Sequence, residues 1–359
     1  RVLFRSETVV ASRMRAILEN ALNRTWYGPG EPGVLLRGLS RVYAKLSEAR
    51  RQSGMAHQPA DLASRPIVVV GNITAGGTGK TPVVIRLCDI LSEQGIKVGV
   101  VSRGYGRRSR SLIEVEENTP IEDCGDEPWL VRHATGVPVV VSAHRVDAAR
   151  RLLERGVEIV ISDDGLQHWP LPSTYEICII DTQRGLGNGR LLPAGPLREP
   201  PERLQRVNAV FLNGDDGFQY ADVEPLRMTL ALDTPRRVNG DQSIALEALI
   251  QRAQTQDCIA ATGIGNPKRF FSLLEKHRLS FKSRVFPDHH GFTSKDFAGL
   301  EDALLIMTEK DAIKCRDLDL TDAWYLPIRA QLPADWENAF AEQMLQSVNE
   351  DKSRHDTSR

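Results

Sequence analysis

The chain has 359 residues, 41% of them hydrophobic and 26% charged, the balance of a globular protein long enough for one large or two modest domains. A formal net charge of -1 excludes a globally basic polyanion binder, so any basic function has to be local. Five widely spaced cysteines, at 88, 124, 178, 258 and 315, form no CxxC pair for zinc or redox work and read as thiols of a reducing compartment.

No stretch reaches the roughly 18 uninterrupted apolar residues of a spanning helix, and the opening RVLFRSETVVASR lacks the core of a secretory signal. Met14 is the expected native start, which makes 1–13 a non-native or upstream segment. In the N-terminal segment and linker, 14–65, Leu35, Leu39, Val42 and Leu46 share one helical face, while Arg37, Arg41 and Lys45 form a stripe on another. Two readings fit a helix over 34–51: one lying on an anionic membrane surface, or one docked on the protein's own core with a solvated basic face. Residues 52–65 read as a polar linker.

The 66–215 region alternates strands and helices. Ile67–Val70 is a continuous β-branched run, as in a strand buried on both faces. The loop Thr74, Ala75, Gly76, Gly77, Thr78, Gly79, Lys80, Thr81 then opens a helix, with Pro82 in its first turn. Glycines let successive N–H groups converge on one anion at the positive helix end. Lys80 is placed to reach β- and γ-phosphate oxygens, and the Thr81 hydroxyl to ligate Mg²⁺. Thr74 stands where the common phosphate-loop pattern has its first Gly.

Further strands are expected at 97–102, 137–141, 158–162, 176–181 and 208–212, with helices at 83–94, from Gly125 onward, and to about 155. Several strand ends carry chemistry-capable residues. Ser102–Arg108 combines glycines with Arg103 and Arg107, either an anion site or a solvated basic loop. Asp126 and Glu127 begin a helix and either cap it or work at the ligand-binding edge of a parallel sheet. Arg145 follows the next strand. Asp163 and Asp164 end an apolar strand, either the place where phosphate-loop enzymes hold Mg²⁺ or its waters or a plain Asp-Gly turn. Residues 184–200, RGLGNGRLLPAGPLREP, form a loop long enough to bind something or act as a lid, with Arg198 and Glu199 near its end.

The 216–346 region is a second, smaller α/β unit, with strands expected at 226–232, 258–262, 280–286, 304–308 and 323–328 and helices at 244–254, 267–277 and 334–346. Its Pro287-Asp288-His289-His290-Gly291 stretch reads as general acid/base, metal-binding or plain polar loop. Residues 347–359 are polar, charged and expected to be disordered. The fold class is therefore α/β: a phosphate-loop NTPase-like, mostly parallel sheet with helices on both faces, a smaller C-terminal α/β domain and an N-terminal amphipathic helix.

In this order GNITAGGTGKTP, SRGYGR, GDEP, SDDGLQH, RGLGNGRLLPAGPLREP, FPDHHGF and TEKDAIK closely resemble the tetraacyldisaccharide 4'-kinases of lipid A biosynthesis, over about residues 20 to 345. The resemblance implies ATP-dependent, Mg²⁺-assisted phosphorylation of the 4'-hydroxyl of a lipid A disaccharide 1-phosphate, giving lipid IVA. It also implies a monotopic enzyme on the cytoplasmic face of a bacterial inner membrane, with no nucleic acid and no obligate protein partner, and so favours the membrane reading of helix 34–51. Carried over by residue, Lys80 and the amides of Gly76 to Thr81 hold the nucleotide phosphates. Thr81, Glu127, Asp163 and Asp164 form the magnesium environment, Asp126 is the base and His289 its orienting partner. Arg103, Arg107, Arg145, Arg198 and Glu199 serve the transferring phosphoryl group or the substrate. The alternatives are a nucleotide hydrolase of the metal-chaperone or switch type and a membrane-bound nucleotide sensor. Against the hydrolase, Thr308-Glu309-Lys310-Asp311 does not have the order of a guanine-binding signature.

Overall fold

In the computed structural model of the chain, residues 21–214, 217–220, 223–288 and 290–356 are described. Helix α1 (Val34–Ala56) precedes strand β1 (Ile67–Gly71), which feeds helix α2 (Lys80–Glu93) through the glycine-rich loop. There follow β2 (Val98–Ser102), β3 (Ile113–Glu114), α3 (Ile121–Cys124), α4 (Asp126–Thr135), β4 (Val139–Val141), α5 (Arg145–Glu154), β5 (Ile159–Asp163), β6 (Tyr175–Asp181) and β7 (Ala209–Asn213). The second half gives β8 (Leu226–Leu232), β9 (Arg236–Arg237), α6 (Leu246–Thr255), β10 (Cys258–Thr262), α7 (Pro267–Lys276), β11 (Lys282–Val285), β12 (Leu304–Thr308), α8 (Glu309–Lys314), β13 (Ala323–Leu326), β14 (Ile328–Gln331) and α9 (Ala334–Asp356).

The larger sheet runs β14-β8-β7-β6-β1-β5-β2-β4-β3. Every neighbouring pair from β8 to β4 is parallel, and only the edge strands β14 and β3 are antiparallel. The Val/Ile runs of its central strands are buried along their length because helices cover both faces. Alternation in β1 divides the core. Val68 and Val70 pack with Leu87, Leu91 and Trp129 of α2 and α4, whereas Ile67 and Val69 pack with Ala148 and Leu152 of α5. The parallel strands all present their C-terminal ends at one edge, where the phosphate loop, Ser102, Asp163, Asp181 and Asn213 come together. The smaller sheet runs β11-β10-β12-β13-β9.

Three expectations are corrected by this architecture. The strand expected to begin the second half, β8, pairs with β7 and extends the first sheet. The strand expected over 323–328 is two: Pro327, lacking an N–H, breaks the ladder, so β13 belongs to the smaller sheet and β14 to the larger. The tail expected to be disordered from 347 continues α9 to Asp356. Phe340, Met344 and Val348 recur at helical spacing and are buried on the larger sheet, and Arg65 Nη1 donates to Asp351 at 2.7 Å.

The expected linker over 52–65 also begins as helix, since α1 runs on to Ala56 and packs Gly54 against Trp169 and Pro170. A Cβ at Gly54 would lie 2.8 Å from Trp169 Cβ, so the close approach needs glycine there. Elsewhere on α1, Val34, Leu35, Leu39, Val42 and Leu46 are exposed, Leu35 at 77%. The apolar face is thus turned away from the protein, and the reading of a helix docked on its own core through that face is set aside.

Candidate active site

The glycine-rich loop is held from three sides. Asn72 Nδ2 donates to Gly76 O at 3.2 Å, Ala75 N donates to Pro196 O at 2.8 Å, and Asn213 Nδ2 at the end of β7 donates to Thr78 O at 2.8 Å. Gly79 has φ +95°, and a Cβ there would lie 2.4 Å from Asn213 Nδ2, so only glycine fits. Thr74 departs from the common glycine because its side chain is used. It is buried, its Oγ1 lies 3.4 Å from Asn72 Nδ2, and its backbone bridges Leu197 of the long loop. The loop turns directly into α2, where Lys80 and Thr81 occupy the first turn at the positive helix end.

Across the sheet edge, β5 pairs with β1 in register, Val70 opposite Asp163. Asp164 adopts φ +49°, a left-handed turn that Asp tolerates, and its carboxylate meets Lys80 Nζ at 3.3 Å. Arg198 Nη1 donates to both Asp164 oxygens at 3.2 Å. Burial alone would raise the Asp164 pKa, but Lys80, Arg198 and Arg145 outweigh it and hold the group at about 2. Asp163 is the opposite case: burial and the negative charge of Glu127 push it up to about 7, and its Oδ1 is buried without a hydrogen-bond partner.

Asp126 and Glu127 open α4 behind Gly125, which has φ +94°. Both are gripped from the second half of the chain. Lys314 Nζ meets Asp126 Oδ2 at 2.8 Å and Lys310 Nζ meets Glu127 Oε1 at 2.6 Å. The Lys310 ammonium beside it holds the Glu127 carboxyl below the usual range. Glu127, Asp163, Asp164 and Lys80 thus influence one another across one cluster. His289 lies outside the described residues. Among those residues no group of three or more His, Cys, Asp or Glu side chains forms a ready metal cage.

The arginines divide by burial. Arg103 is exposed at the end of β2, whereas Arg107 turns back on its own loop, donating to Ser111 O at 2.7 Å. Arg145 is 5% exposed and donates to the carbonyls of Asp163 and Asp164 at 3.1 and 2.9 Å, shaping the acidic turn from behind. Glu199 is also buried, accepting from Gln167 Nε2 at 2.7 Å and pairing with Arg203 Nε at 3.3 Å. Burial raises its pKa. The 184–200 loop is packed against the phosphate loop, and α1 is tied to it: Ser40 Oγ donates to Leu191 O at 2.8 Å and Tyr43 OH to Arg198 O at 3.0 Å.

Sequence reasoning assigned no work to Asn213, Gln167, Lys310, Lys314 or Arg269, whose Nη2 donates to Asn213 O at 2.9 Å. Gln167 and the two lysines carried a signal, the first within SDDGLQH and the lysines as cations four residues apart after a strand end.

The family profile described as Tetraacyldisaccharide-1-P 4'-kinase matches residues 33–349. A tetraacyldisaccharide 4'-kinase of Methylobacillus flagellatus is 42% identical over 328 residues, 90% of this chain and 94% of the relative. One from Hahella chejuensis is 40% identical over 340 residues, 92% and 97% of the two chains. A crystal structure of LpxK from Aquifex aeolicus, described as an "apo" form in complex with ATP, superposes with a TM-score of 0.71 at 26% identity, covering 87% of this chain and 97% of that one.

Proposed function

The chain belongs to the tetraacyldisaccharide-1-P 4'-kinase family and is a phosphotransferase of lipid A biosynthesis; we propose that it runs the transfer from ATP to the sugar 4'-hydroxyl at the sheet edge described above. The observation that carries this reading is the convergence on one edge of Lys80, Asp163, Asp164, Glu127 and Asp126. A hydrolase of the switch type has no use for the second-half residues that grip Asp126 and Glu127.

The amides of Gly76–Thr81 and the Lys80 ammonium hold the β- and γ-phosphates of ATP, the nucleotide described for the Aquifex relative. The residues fit Mg²⁺, which binds through one or two carboxylates and keeps water and phosphate ligands rather than needing a closed cage. The unpartnered Asp163 Oδ1 is the first candidate ligand, the charges of Glu127 and Asp164 act on it, and Thr81 in the first turn of α2 would supply a hydroxyl. Held by these residues, a magnesium ion would supply positive charge to offset that on the phosphoryl oxygens. Asp126 takes the proton from the attacking 4'-hydroxyl onto its carboxylate, and His289 keeps the orienting role that the resemblance implies. Arg103 and Arg198 face the anionic acceptor, while Arg107, Arg145 and Glu199 hold the surrounding loops. Charge stabilisation and placement dominate because phosphoryl transfer leaves little covalent work to the protein.

The exposed apolar face of α1 lies on the cytoplasmic surface of the inner membrane, its arginines and lysine against anionic headgroups. No helix among the described residues is long and apolar enough to cross a membrane, in keeping with a helix that lies in the interface. Because α1 is hydrogen-bonded to the 184–200 loop, this placement sets the acceptor entrance at the bilayer. The test is to incubate the full chain with ATP, Mg²⁺ and tetraacyldisaccharide 1-phosphate in detergent and to locate the added phosphate by mass spectrometry. A product bearing a second phosphate at the 4' position is expected; an unchanged acceptor overturns the assignment.

A further inference from the structure

The TEKDAIK stretch is the motif that the reaction as described leaves without a role. Its Asp311 is fully buried and accepts from Thr308 Oγ1 at 2.6 Å, Thr262 Oγ1 at 2.8 Å and Gly263 N at 3.1 Å, which locks the first turn of α8 to the ends of β10 and β12. Ile313 enters the core of the larger sheet beside Trp129 and Leu130, and Arg316 lies over the Trp129 ring at 4.4 Å. The helix is thereby fixed at both ends of its short length, to the smaller sheet and to α4. Its two lysines, one turn apart, reach two consecutive acids at the start of α4. Lys314 and Asp126 are 13% and 14% exposed, so the pair is largely withdrawn from water.

Stability is a weak reason for such a pair, because desolvating two charges offsets most of their attraction. Placement is a better one. A loose phosphoryl-transfer transition state asks its base for position more than for strength. We infer that Lys314 is a positioning residue of the kinase reaction, holding Asp126 Oδ2 so that the carboxylate stays aimed at the acceptor hydroxyl. This rests on Asp126 being the base. Lys310 does the same for Glu127 one turn earlier. The smaller sheet therefore contributes to catalysis through α8 by orienting the acids of the larger one.

The experiment compares Lys314→Met, Lys314→Arg, Asp126→Asn and the Lys314→Met/Asp126→Asn double variant of the full chain, measuring kcat, both KM values and thermal midpoint. Lys314→Met is expected to lower kcat roughly 10- to 100-fold with both KM values within about twofold of wild type. Lys314→Arg recovers a substantial part of that loss. In the Asp126→Asn background, Lys314→Met costs nothing further, because the residue it positions has lost its function. Wild-type kcat in Lys314→Met beside an inactive Asp126→Asn overturns the role of Lys314 and leaves the base standing. Near-normal turnover by Asp126→Asn overturns both. Equal losses in the Met and Arg variants with a matching fall in thermal midpoint reduce the lysine to a structural strut and overturn the inference.

Discussion

Asn213 Nδ2 donates to Thr78 O at 2.8 Å and fills the space where any side chain at Gly79 would begin. One amide from the end of β7 thus sets the curvature of the phosphate loop, and Arg269 of α7 braces that residue by donating to its carbonyl at 2.9 Å. Asn213→Ala should weaken nucleotide binding roughly 10-fold, the value of a lost buried hydrogen bond, without altering acceptor KM. Gly79→Ala meets both a clash and a positive φ and should abolish binding. Titration of a fluorescent ATP analogue checks both; unchanged affinity in Gly79→Ala contradicts the geometry.

His168, in the turn after Asp164, is neutral in the fold. Burial, followed by the nearby Arg145, His144 and Arg103, holds its imidazole down at about 4. The unfolded chain takes up a proton here below its ordinary pKa of about 6.5, and the folded chain does so only near 4. The stability tied to neutral His168 is therefore fully present above about pH 6.5 and is lost as pH falls toward about 4. His168→Gln should lose about 1 kcal/mol less stability than wild type between about pH 7 and about pH 5, after discounting for partial exposure. Urea unfolding at the two pH values reads the difference, and parallel losses in both proteins contradict it.

Leu35 and Leu39 are the third test, since they are 77% and 48% exposed on α1. Leu35→Asp/Leu39→Asp should release the chain from vesicles containing anionic lipid, because two apolar contacts, each worth up to about 1.5–3 kcal/mol on full burial, are lost. Turnover on a detergent-dispersed acceptor should fall far less. Retention on vesicles equal to wild type contradicts the membrane role of this face.

The strand–loop–helix of the phosphate site was legible because its signals are local: a β-branched run, glycines, then Lys80-Thr81 at a helix start. The acids after β5 were legible for the same reason. What could not be read depends on partners far apart in sequence. Nothing near Leu226 shows that β8 will pair with β7, and nothing near Phe340 shows that α9 returns to the larger sheet. Arg145 and Glu199 were named through the family resemblance, and that both are buried was not legible, because charge is visible in sequence and burial is not. The pairing of Lys314 with Asp126 spans two sheets, so the motif could be noticed while its task could not.

The most direct measurement of the central claim is ATP consumption by the full chain, with and without tetraacyldisaccharide 1-phosphate, beside a Lys80→Met control. The account predicts ADP formed one for one with bisphosphorylated lipid, negligible turnover when the acceptor is omitted, and a loss of roughly 10²-fold or more in Lys80→Met. Sustained ATP or GTP hydrolysis without acceptor, indifferent to the lipid, would contradict it.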